Sequence, residues 1–97
     1  MNISFSKSAI EDLKGIKEYY LEQGVPQIGQ EFVVAIVGHV ETLSIHPEIG
    51  RVVPEFNDDS IRELIHSPFR VVYLLETESI KIIRVWRSER LLKLPEN

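Results

Sequence analysis

Six arginines and the single tryptophan are the residues of this chain best suited to chemistry. Arg62, Arg70 and Arg84 lie inside stretches that read as β-strands. Arg51, Arg87 and Arg90 flank those stretches, and Trp86 sits among them in "IKIIRVWRSERLL" (80–92). A guanidinium fork binds a carboxylate or a phosphate through two parallel hydrogen bonds. Several forks on neighbouring strands could converge on one anion. A ribonuclease working without metal could hold a scissile phosphate in such a cluster, with a His, Tyr or Lys moving the proton. The same arginines could instead be surface residues paired with Glu63, Glu76, Glu78 and Glu89. Spacing alone leaves both readings open.

Other chemistry has less support. His39, His46 and His66 fall in three different segments, without H-x-x-x-H or H-E-x-x-H spacing, so no metal site is expected. G-x-S-x-G, G-x-x-x-x-G-K-[ST] and G-x-G-x-x-G are all absent, so neither a nucleophile elbow nor a nucleotide cofactor is expected. Asp12, Glu18, Glu22, Glu31 and Glu41 fall on helical stretches at positions expected to face solvent. Cysteine is absent, which excludes disulfides and thiolate chemistry.

The chain of 97 residues carries a net charge of −4, unevenly spread. Residues 1–60 hold four Lys/Arg against ten Asp/Glu, and residues 61–97 hold seven against five. The pI near 5.3 is far from the value above about 9 usual for a nucleic-acid-binding domain. Direct sequence-specific DNA binding by this chain is therefore not expected. A local basic site in the C-terminal half remains compatible with that balance. No apolar run approaches the roughly 20 residues of a membrane helix, so no membrane partner is expected. "MNISFSKSAIEDLK" has no basic stretch followed by an apolar run, which makes the cytoplasm the expected compartment.

The elements that must position the arginines follow from periodicity. The length fits one domain, 1–97. "MNISF" alternates as a short strand, with Met1, Ile3 and Phe5 on one face. A helix then starts at a Ser6 cap, with Phe5 and Ile10 placed as a hydrophobic staple. Ser8 with Glu11 offers a rival start two residues later. Ala9, Leu13, Ile16 and Tyr20 form the helix stripe. Gly24 suits a left-handed C-terminal cap, and Pro26 the first turn of the next helix.

That second helix is expected over Pro26 to Leu43, with a stripe of Ile28, Phe32, Ala35, Ile36, His39, Val40 and Leu43. Gly29 and Gly38 offer close approach to the first helix. "HPEIGRVVPEFNDDS" reads as a connection. Three strands follow, "IRELI" (61–65), "FRVVYLL" (69–75) and "SIKIIRVW" (79–86), joined by short links as an antiparallel meander. The last carries apolar residues on both faces: Ile80, Ile82 and Trp86 on one, Ile83 and Val85 on the other. That pattern predicts a central strand covered on both sides. "RSERLLKLPEN" could make a helical turn before Pro95. The fold class is α+β, in the order β-α-α-β-β-β, with a helical hairpin packed on a small, mainly antiparallel sheet.

Nearly the whole chain resembles the RelE/ParE superfamily of toxins from bacterial type II toxin–antitoxin systems, most closely its ParE-like branch. Ala9, Asp12, Leu13, Ile16 and Tyr19 match an A-x-x-D-L-x-x-I-x-x-Y helix. Leu43, Pro47, Gly50 and Arg51 match L-x-x-x-P-x-x-G-R. Arg62 opens a strand, Phe69, Arg70, Val71 and Tyr73 follow a Y-R-I-x-Y strand, and Ile80, Ile82 and Val85 follow I-x-I-x-x-V ahead of a basic cluster. The chain also departs from the pattern. Arg87 stands where many members have His, Glu89 where a second basic residue is common, and Phe69 replaces the tyrosine. The tail "LLKLPEN" has no Tyr or His and one lysine, Lys93.

The resemblance implies a toxin that inhibits DNA gyrase without nuclease residues or cofactor. It also implies a cognate antitoxin whose C-terminal segment wraps the toxin. Arg62, Arg70, Tyr73, Arg84, Trp86, Arg87 and Arg90 are then the candidate partner-binding residues. The alternative is a RelE-like, ribosome-dependent mRNA endonuclease. In it Arg51, Arg62, Arg84 and Arg87 would hold the phosphate, and His66 or Tyr73 would transfer the proton. A third possibility is an inactive relative that only binds antitoxin.

Overall fold

The computed structural model describes residues 1–88. β1 (Asn2–Phe5) leads into α1 (Lys7–Glu22) and then α2 (Pro26–Glu41), which ends in a 3₁₀ turn at Thr42–Ser44. Four strands follow: β2 (Arg51–Val52), β3 (Ile61–His66), β4 (Phe69–Leu75) and β5 (Ser79–Arg87). They form one five-stranded sheet in the order β1-β5-β4-β3-β2, with β1 parallel to β5 and every other pair antiparallel. This is the α+β arrangement expected, with a two-residue strand, β2, inside the stretch read as a connection.

Ser6 caps α1, its hydroxyl accepting from the Ala9 amide at 3.0 Å. Of the staple pair, Phe5 packs on the core while Ile10 stands exposed. The C-terminus of α1 closes as a Schellman motif. The Val25 amide donates to the Tyr20 carbonyl and the Gly24 amide to that of Leu21, with Gly24 at φ +80°. Gly29 lets α2 lie on α1: a Cβ there would stand 3.1 Å from the Lys17 Cα. Gly38 has no such role, since its Cβ would meet nothing within 4 Å. Ala35 and Ile28, assigned to the α2 stripe, are exposed.

The core lies between the helices and one face of the sheet. Ala9, Ile16, Ile36, Val40 and Leu43 pack on Leu64, Phe69, Val71, Tyr73, Ile80, Ile82 and Val85. The register of β5 corrects its expected facing. Tyr73 pairs with Ile82 and Val72 with Arg84, so Ile83 is an extra residue in a β-bulge. Beyond the bulge the alternation inverts. Val85 joins Ile80 and Ile82 on the helix side, and Trp86, opposite Arg70, turns to the other face. The middle strand is β4; β5 lies between it and β1, which covers only Ser79 to Ile82.

Candidate functional site

β1 ends at Phe5, opposite Ile82, so beyond that point the outer edge of β5 is paired with no strand, and α1 takes over that edge. The Ser6 amide donates to the Ile82 carbonyl and its hydroxyl to that of Ile83. Two turns along, the Asp12 carboxylate accepts the Val85 amide at 2.8 Å and the Arg84 guanidinium at 2.8 and 3.0 Å. Asp12 is therefore no solvent-facing residue, contrary to its helical position. It completes a strand edge and a bidentate ion pair at once. Its hydrogen bonds hold the Arg84 guanidinium above its ordinary pKa. On the other side Arg84 stacks over Trp86, 4.9 Å from the ring centroid.

Past this clamp, α1 and the end of β5 part to form a cleft of about 370 Å³. Tyr19, Tyr20, Phe69, Trp86 and Arg87 line its aromatic, cationic end, and Glu11 and Asp12 its acidic end. Arg87 donates to the Tyr20 hydroxyl at 3.3 Å, and its guanidinium lies 5.7 Å from the Tyr19 ring and 5.5 Å from the Phe69 ring. Tyr19, Tyr20, Phe32 and Phe69 form a chain of ring contacts behind it. Such a concave, mostly apolar site with one positioned cation suits an extended or helical peptide with an anionic group.

The opposite end of the sheet holds the remaining arginines in a different state. On the face away from the helices, Glu63 is 1% exposed and accepts from both Arg51 and Arg70. Ladder register explains the triad, since Arg51 opposes Glu63 across β2–β3. Glu55 adds a longer contact to Arg70, at 3.7 Å. A buried carboxylate between two guanidiniums has both oxygens engaged, which its burial requires. On the helix side, Arg62 straps the segments on both sides of β2. It donates to the carbonyls of Asp59 (2.9 Å), Gly50 (3.0 Å) and Glu48 (3.3 Å).

Tyr73 lies beneath that strap, fully buried. Its hydroxyl donates to the Pro47 carbonyl at 2.9 Å and accepts the Gly50 amide at 3.0 Å. Burial pushes the phenol pKa up. A Cβ on Gly50 would stand 2.5 Å from the Tyr73 hydroxyl, so only glycine fits there. The L-x-x-x-P-x-x-G-R segment thus wraps one tyrosine: Leu43 is core, Pro47 and Gly50 bracket the hydroxyl, and Arg51 enters the triad.

The arginines expected to converge are therefore divided. Trp86 and Arg87 line the cleft, and Arg84 sits at the clamp beside it, over Trp86; Arg51, Arg62, Arg70 and Tyr73 belong to the far end, where Tyr73 presents no surface to a partner. His66 faces neither group. Its Nδ1 lies 3.0 Å from Nδ1 of His39 on α2. Arg90 falls outside the described residues. Sequence reasoning missed Asp12, Glu63, Tyr19 and Tyr20. Only the aromatic pair at the end of a helix stripe offered any local signal for the cleft.

The model of the family described as ParE toxin of type II toxin-antitoxin system, parDE, matches residues 3–92. Among solved structures, the chain is similar to one described as the chromosomal ParDE TA system from P. aeruginosa. The two share 25% identity and a TM-score of 0.76, with 90% of this chain and 95% of that one covered. No curated protein matches. A fold built around the Tyr73 bracket and the α1–β5 clamp, together with a family match over nearly its full length, places this chain in the ParE toxin family of type II toxin–antitoxin systems.

Proposed function

We propose that the chain is a non-enzymatic toxin that inhibits DNA gyrase, and that a cognate antitoxin neutralises it through a C-terminal segment seated in the α1–β5 cleft. One observation carries the non-enzymatic part. Most of the groups a nuclease of this fold would need are committed to structural partners. Arg84 is held by Asp12, Arg51 by Glu63, Arg62 by three carbonyls, Tyr73 by Pro47 and Gly50, and His66 by His39. The phenol is also buried with a raised pKa, which makes it a poor proton donor or acceptor near neutral pH.

The cleft supports the antitoxin part. Aromatic rings around one arginine are the residue types that dominate protein interfaces. A segment that orders on binding could cover the cleft and place an acidic side chain on Arg87.

Purified toxin added to a supercoiling assay should inhibit gyrase or trap its cleaved DNA complex, and equimolar antitoxin should restore activity. Full gyrase activity at stoichiometric excess of toxin would overturn the reading. Transcript cleavage in expressing cells would redirect it to the ribosome. Growth unaffected by expression without antitoxin would mark an inactive relative.

A further inference from the structure

His39 and His66 come from α2 and from the last residue of β3, and their Nδ1 atoms approach to 3.0 Å with the rings tilted 51° to each other. We propose that this pair is a binding site for a divalent transition metal of the imidazole-preferring kind, Zn²⁺, Ni²⁺ or Cu²⁺, which joins α2 to the β3–β4 hairpin. Metal–imidazole bonds run about 2.0–2.1 Å, so two nitrogens sharing one ion lie ~2.9 Å apart at a right angle and ~3.4 Å apart at a tetrahedral one. The observed separation falls between these values.

The two rings are half-buried, so one side of the site stays open to water. No third His, Cys, Asp or Glu completes a cluster among the described residues. Water would fill the remaining positions, which makes the site open and exchangeable rather than a closed structural one. Among divalent ions a two-imidazole site favours copper, then nickel or zinc, and disfavours magnesium and calcium, which prefer oxygen ligands.

Position gives the site a consequence. His66 opposes Phe69 across the β3–β4 ladder, and the Phe69 ring lines the cleft. An ion on His39 and His66 would close a loop spanning 27 positions and brace the hairpin behind the cleft. No local H-x-x-x-H motif announces such a pair, because its members meet only through the tertiary fold.

The test is calorimetric titration of ZnCl₂ and NiCl₂ into the full chain, purified without a histidine tag, beside thermal melts at rising metal concentration. One ion should bind per chain. At metal a hundredfold above Kd, the folding equilibrium constant should rise roughly 100-fold. His39→Asn and His66→Asn should each weaken binding at least about tenfold, as loss of one of two ligands demands, whereas His46→Asn should leave it unchanged. Should a variant fail to fold, diethyl pyrocarbonate modification of the unaltered chain decides. Metal should protect His39 and His66 and leave His46 reactive. No binding, binding lost only with His46, or equal protection of all three histidines would overturn the site and leave a plain imidazole–imidazole hydrogen bond.

Discussion

The two ends of the sheet use the same residue type in opposite ways. At the β2–β3–β4 end, Arg51 and Arg70 are bound to Glu63 on one face of the sheet, and on the other Arg62 is bound to backbone carbonyls over a tyrosine with no exposed surface. At the α1–β5 end, Arg87 lies over aromatic rings on the wall of a cleft. An arginine in a strand is therefore not evidence of function by itself. What differs between Arg87 and the arginines of the far end is the surroundings: aromatic rings lining a cleft in one case, a buried carboxylate and backbone carbonyls in the other.

The contrast breaks most readily at the closed end. Glu63→Ala removes the carboxylate between Arg51 and Arg70 and leaves the latter buried without its main partner. A loss of about 3–5 kcal/mol of stability is expected, read as a lower denaturation midpoint. Gly50→Ala forces a Cβ against Tyr73 and the Glu63 carbonyl, 2.8 Å away. The expected cost is about 1–3 kcal/mol, and Tyr73→Phe in the same chain should not restore it, because the ring carbon Cε1 also lies 2.7 Å off.

At the open end, Arg87→Ala should leave the melt closer to the parent than either of these. It should weaken antitoxin binding by roughly tenfold, about 1.4 kcal/mol, in a calorimetric titration. An Arg87→Ala chain that binds antitoxin as tightly as the parent would remove the cleft from the interface.

Smaller effects sharpen the picture between the ends. The His66 pKa is lowered by burial and by His39, so the folded chain binds fewer protons there than the unfolded one. Its contribution is complete above about pH 6.5 and declines as pH falls towards the folded-state value. Melting midpoints at pH 7.5 and 5.5 should differ in that direction, and by less in His66→Asn. The smallest effect is expected at Gly38. Its Cβ would meet nothing, so Gly38→Ala should stabilise by about 0.5–1 kcal/mol. Gly29→Ala, tight against Lys17 and Tyr20, should destabilise instead.

Local chemistry made much of the fold legible. The Ser6 cap, the Gly24 terminus, Pro26 at a helix start and the short links between β3, β4 and β5 are all decided within a few residues. Period-two reading failed at Ile83, because a bulge leaves no mark in "IKIIRVW" that distinguishes it from a two-sided strand. It assigned Trp86 to the Ile80 face, whereas the inverted alternation sends it to the other. The β2 strand escaped notice because two residues become a strand only through their ladder to β3. Asp12 and Arg84 are 72 positions apart, and helical amphipathicity gives an aspartate off the stripe no reason to be anything but solvated. The cleft was visible only as aromatic residues in separate segments.

The parallel pairing of β1 with β5 sets the order in which this molecule can be built. Ile3 and Ile80, joined in that ladder, are 77 positions apart, and β5 lies between β1 and β4. During synthesis the helical hairpin can form early from local contacts, whereas β1 must wait for β5 to emerge before it has a partner. The clamp of Asp12 on Arg84 and Val85, and the cleft beside it, therefore form only after residues 84–87 have been made. A chain that stops before residue 79 lacks β5 and so has neither the clamp nor the cleft.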